Sequence, residues 1–158
     1  LEQHKEHQVV TRIAGLVCGT LLSVIVGCGG DGVARVGIEG ELLAQNGPVR
    51  NATVQLIPQA GTEGEGAIGL ADEGGKFTVI SSRNRDAGLP PGRYRVRVSQ
   101  LIDGDGSVLS AEATQAEYPF SREGVPPPYS SPDSPLEISV PEQGGKVIIE
   151  LPVQTLGK

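Results

Sequence analysis

Gly88-Leu89-Pro90-Pro91-Gly92-Arg93-Tyr94-Arg95-Val96-Arg97-Val98 decides the fold of this 158-residue chain. Pro-Pro-Gly is turn chemistry: proline presets φ, and glycine takes the positive φ that turns require. Tyr94, Val96 and Val98 then alternate with Arg93, Arg95 and Arg97. A period of two places three apolar side chains on one face of a strand and three guanidinium groups on the other.

The same period recurs on both sides. Upstream, Val36, Ile38 and Leu42 alternate with Gly37, Glu39 and Glu41 before a Gln45-Asn46-Gly47-Pro48 turn. Val54 and Leu56 alternate with Thr53 and Gln55 up to Pro58. Ile68 and Leu70 follow, then an Asp72-Glu73-Gly74-Gly75 turn into Phe77 and Val79. Downstream come Leu136, Ile138 and Val140, then Val147, Ile149 and Leu151. Seven short strands with no amphipathic helix predict an all-β fold: an antiparallel β-sandwich, Ig-like or transthyretin-like, over residues 34–153. Residues 102–135 break the rhythm and contain Pro126, Pro127, Pro128, Pro132 and Pro135. A loop of that length is functional or disordered. Residues 154–158 read as a tail.

Ahead of the sandwich, Leu1–Arg12 is polar and Ile13–Val26 is apolar or small. The apolar run is too short to span a bilayer, which takes about 20 residues, and suits the core of a signal peptide. It ends in Ile25-Val26-Gly27-Cys28, then Gly29-Gly30-Asp31-Gly32. This resembles a bacterial lipobox. The resemblance implies a cleaved signal segment over 1–27, lipidation of Cys28, and a flexible tether over 28–33. Gly29 after the cysteine, in place of the Asp that retains some lipoproteins at the inner membrane, favours the outer membrane. The alternative is a short buried helix with a core cysteine.

Cleavage there would remove His4, His7 and Cys18 and leave Cys28 as the one cysteine. Ser-His-Asp and Cys-His catalysis need an imidazole, and zinc, copper and iron sites draw on His or Cys. The expectation is therefore a non-enzymatic protein with no cofactor and no metal. The net charge of −6 argues against nucleic acid, which calls for a basic footprint.

Several groups invite functional readings beside plainer ones. Arg93, Arg95 and Arg97 on one strand face could hold an anionic glycan or phosphate by paired hydrogen bonds, or form a solvated face matched to neighbouring acids. Tyr118, Phe120 and Tyr129 could form a ligand platform, or pin the long loop to the sandwich. Glu112, Glu117 and Glu123 leave a carboxylate hydrolase as a formal alternative. Asp103-Gly104-Asp105-Gly106-Ser107 hints at a calcium loop, but Val108 and Thr114 stand where an EF-hand needs Gly and an acid, so a polar hairpin tip fits better. Gly64-Glu65-Gly66-Ala67-Ile68-Gly69 matches G-x-G-x-x-G, yet a strand pattern follows where a helix is needed.

The chain also resembles the carboxypeptidase-regulatory-like, transthyretin-like domain of many small bacterial lipoproteins. Gly40–Pro58 follows its opening strand, Gly-Pro turn and second strand. Ala71–Phe77 resembles its acidic-Gly turn, Gly88–Val96 its Pro-Gly-x-Tyr-x-Val segment, and Pro128–Pro132 with Ser134-Pro135-Leu136 its late loop. The resemblance covers nearly all of the chain beyond Cys28 and implies a fold more than an activity. Enzymes with transthyretin-like folds rely on histidines that the cleaved chain would lack. The reading is a lipid-anchored envelope module that contacts the membrane through its anchor and an envelope protein or glycan through its loops. The alternative is a carbohydrate- or peptide-binding domain.

Overall fold

The computed structural model describes residues 32–83, 85 and 87–158. The expected signal segment 1–27, Cys28 and the tether as far as residue 31 lie outside the described residues. All seven alternating runs form strands, and three two-residue strands join them. In chain order they are β1 (Ile38–Ala44), β2 (Gly47–Pro48), β3 (Thr53–Pro58), β4 (Ala67–Leu70), β5 (Lys76–Ser81), β6 (Gly92–Ser99), β7 (Leu101–Ile102), β8 (Arg122–Glu123), β9 (Glu137–Val140) and β10 (Gly145–Leu151).

The main sheet runs β10-β1-β5-β4-β3-β6-β9, with β2 folded back on β1. It curls into two layers because β5 serves both. Lys76–Thr78 pair with Glu39–Glu41 of β1, whereas Val79–Ser81 pair with Ala67–Gly69 of β4. Glycines make this corner. A Cβ on Gly40 would lie 2.1 Å from the Phe77 ring, and one on Gly69 would lie 2.5 Å from it. Glycine weakens a strand but permits such close approach, so the ring of Phe77 fills space that two side chains would otherwise occupy.

Alternation along each strand builds the core between the layers. Ile38 and Leu42 of β1, Val54 and Leu56 of β3, Val79 of β5, Tyr94, Val96 and Val98 of β6, and Ile149 and Leu151 of β10 are all buried. Truncating one of the larger aliphatics to Ala costs about 2–5 kcal/mol. The Tyr94 hydroxyl donates to Pro90 O at 2.7 Å, tying the start of β6 to the turn before it, as tyrosine corners do in β-sandwiches. Burial pushes its phenol up to about 12, with the nearby Arg35 charge opposing the shift.

The all-β sandwich holds, with one departure from strict antiparallel pairing. β10 runs parallel to β1 from Ile38↔Gly145 to Ala44↔Leu151. Parallel neighbours need a long crossover, and here the crossover is the whole domain between the first strand and the last. Residues 154–158 are also more than a loose tail: Leu156 N donates to Gly124 O, Lys158 N to Gly106 O, and Lys158 Nζ to Asp105 O.

Candidate functional site

The arginine strand β6 lies against β3 on one side, with Thr53↔Ser99, Gln55↔Arg97 and Ile57↔Arg95 in register. On its other side β9 covers only Gly92–Arg95. Beyond that point β6 would show bare amides, and buried or half-buried N–H groups must find acceptors. The proline-rich segment supplies them one at a time. Val96 N donates to Leu136 O, Val98 N to Tyr129 O, and Gln100 N to Glu123 Oε1. Prolines suit such a cover, since they carry no amide of their own to satisfy.

Two of the three arginines serve the same segment. Arg97 Nε donates to Ser130 O at 2.8 Å. Arg95 reaches Pro132 O at 3.5 Å and lies 3.9 Å from the exposed Asp133 carboxylate. Arg93 is exposed. The row is thus largely a set of backbone clamps, a role outside both sequence readings.

The aromatics divide. Tyr129 is half-buried against the core. Tyr118 is 44% exposed and Phe120 86% exposed, on a turn that stabilises itself. Thr114 and Glu117 form a reciprocal capping box: Thr114 N and Oγ1 donate to Glu117 Oε2, and Glu117 N donates to Thr114 Oγ1. Ser121 N and Oγ both donate to Tyr118 O. These bonds hold residues 114–121 in shape while Phe120 projects into solvent. The three residues named as a platform do not share one environment.

The acids weighed as a catalytic set are each held by local partners. Glu123 Oε1 accepts from Gln100 N and Val125 N, and its Oε2 accepts from Ser99 Oγ. Glu112 accepts a hydrogen bond from Ser110 Oγ, which lowers its carboxyl below the usual range. Glu117 belongs to the capping box. The capping box is legible as Thr-x-x-Glu; the three-acceptor role of Glu123 has no local sequence signal.

Beside Arg97 the turn at 110–115 overhangs the outer face of β3 and β6. A polar cleft of about 280 Å³ lies there, lined by Thr53, Arg97, Ser99, Gln115 and Glu123 among others. A broader groove of about 500 Å³ crosses β1, β5 and β10 over Phe77 and carries Glu39, Glu41, Lys76 and Lys146. Within it Lys146 Nζ pairs with Glu41 Oε2 at 2.7 Å, and that hydrogen bond, reinforced by the Lys146 charge, lowers the Glu41 carboxyl.

The remaining motifs take their plainer forms. Asp103–Ser107 is a hairpin tip between β7 and Val108, with Asp105 accepting from Ser107 N and Oγ. Among the described residues, no group of three or more His, Cys, Asp or Glu is placed to hold a metal. The glycines at 64–69 lead into β4, and Glu65 pairs with Arg83. Among the described residues no helix is long and apolar enough to cross a membrane.

No family model matches the chain, and no curated protein matches it. Among solved structures, a 9R-lipoxygenase from Cyanothece aligns at 16% identity with a TM-score of 0.35, covering 73% of this chain and 16% of that one. The chain spans a small part of that protein's length, and a likeness at this level carries no argument about fold or activity.

Proposed function

We propose that this chain is a non-enzymatic, lipid-anchored module of the bacterial cell envelope. Its β domain is of the carboxypeptidase-regulatory-like, transthyretin-like kind, and it presents the 102–135 segment to a neighbouring protein. The observation that carries the reading is Phe120, 86% exposed on a turn fixed by its own hydrogen bonds. Burying such a ring in a contact is worth about 1.5–3 kcal/mol, and a pre-formed turn loses little entropy on binding. Cys28 provides the anchor, with the outer membrane favoured.

The test is photo-crosslinking in cells from position 120, with position 78 on the outer face of β5 as the control site. One envelope protein captured from 120, absent from 78 and lost with Cys28→Ser, is the expected result. Equal capture from both positions, or a mature N-terminus other than acylated Cys28, overturns the reading. A second reading, a carbohydrate- or peptide-binding domain, is favoured by the polar cleft at Thr53, Arg97 and Ser99. It predicts saturable binding to a member of a glycan and peptide panel, weakened by Arg97→Ala.

A further inference from the structure

The sheet has two ends, β9 and β10. β9 has four residues and is bracketed by Pro135 and Pro141, which blunt an edge against further pairing. β10 has seven residues with no proline until Pro152, just past its end, and among the described residues no strand lies beyond it. Gly145 N donates to Gly37 O on the β1 side. Alternation then turns the amides and carbonyls of Lys146, Ile148 and Glu150 to the open edge. These same three side chains are exposed on the outer face, with Ile148 at 50%.

The sequence Lys146-Val147-Ile148-Ile149-Glu150 is self-complementary when laid antiparallel on itself. With a two-fold axis at Ile148, Ile148 meets Ile148 of the second copy, and each Lys146 meets a Glu150. All three outward-facing residues then fall on hydrogen-bonded pairs, so the backbone phase and the charge pattern demand the same register. Moving the axis to Lys146 or Glu150 would set like charges face to face, which is destabilising. A lone edge lysine repels a second strand; here Glu150 answers it, adding a second carboxylate to the Glu41 that Lys146 Nζ already meets at 2.7 Å within the fold.

We propose that β10 is a dimerisation edge that pairs antiparallel with β10 of a second copy of this chain, centred on Ile148. This is an isologous contact. An interface built on one strand pair is narrow and belongs to the weak, reversible class, so the test traps it covalently. Residues facing each other in a hydrogen-bonded antiparallel pair have Cα atoms about 5.5 Å apart, within disulfide reach.

The full chain carrying Ile148→Cys is oxidised mildly in cells, with Thr78→Cys as the surface control and the parent chain reporting any background from its own cysteines. We expect a disulfide-linked homodimer from Ile148→Cys at least tenfold above both. Adding Glu150→Lys lowers the yield to background by opposing Lys to Lys, and adding Lys146→Glu to that pair restores it. Circular dichroism verifies that each variant folds. A yield from Ile148→Cys no higher than from Thr78→Cys, a cross-link to a different protein, or a yield indifferent to Glu150→Lys overturns the proposal.

Discussion

Along β6 and just past its end, the amides of Val96, Val98 and Gln100 each find an acceptor in the segment that follows, at Leu136, Tyr129 and Glu123. Along β10, among the described residues, no strand covers the outer edge. One edge is closed by an irregular, proline-rich cover held with arginine clamps, and the other is left as a regular strand. The difference separates two uses of polar groups. At β6 they are consumed within the fold, so substitutions there act on stability. At β10 the outward backbone groups are, among the described residues, without a strand partner, so substitutions there act on association.

The largest effect is expected from Glu123→Ala. It removes the acceptor for two backbone amides and one hydroxyl at once; a hydrogen bond to a charged group contributes about 1.5–3 kcal/mol, and the bonds share one side chain, so a loss of about 2–4 kcal/mol in urea unfolding follows. Hydrogen exchange at Gln100 should accelerate ahead of β6. A Gln100 amide that stays protected would show that the cover does not depend on this carboxylate.

Tyr94→Phe comes next. It leaves the buried Pro90 carbonyl unpaired at a cost of about 1–2 kcal/mol. It also carries a pH signature. The folded phenol titrates near 12 against an ordinary 10, so the folded state holds the proton longer. The stabilising contribution is whole below pH 10 and is lost as pH rises through 12. Tyr94→Phe should flatten that part of the alkaline stability profile, and an unchanged profile would assign the alkaline loss to other groups.

Arg97→Ala, which releases one clamp on Ser130 O, should cost about 1 kcal/mol and loosen residues 128–132 in hydrogen exchange. The smallest effect is expected at the open edge. Ile148→Ser changes an exposed position, and its unfolding free energy should stay within about 0.5 kcal/mol of the parent. A larger loss, measured at low protein concentration, would mean that β10 is covered within the monomer and would erase the contrast between the edges.

Much of this was legible from the chain alone. All seven strands, the inward placement of Tyr94, Val96 and Val98, and the turns at Asn46-Gly47 and Asp72–Gly75 follow from period and turn chemistry. Both depend on φ, ψ and side-chain direction over a few residues. The Thr114-x-x-Glu117 cap is local for the same reason, and so is the palindrome around Ile148.

Tertiary structure alone decided the rest. Nothing in the alternation of β1 or β10 says that the first and last strands lie side by side and parallel, or that β5 turns a corner between layers. The arginine row reads as an exposed charged face, yet two of its members hold a loop more than thirty residues away. Glu123 reads as one of several loop acids until β6 runs past the end of β9 and leaves amides without partners. A strand's faces are set by its own residues, whereas its neighbours, and the acceptors its edge amides need, come from parts of the chain far away in sequence. Such contacts leave no periodic trace, and only the folded arrangement shows which edge is closed and which, among the described residues, is open.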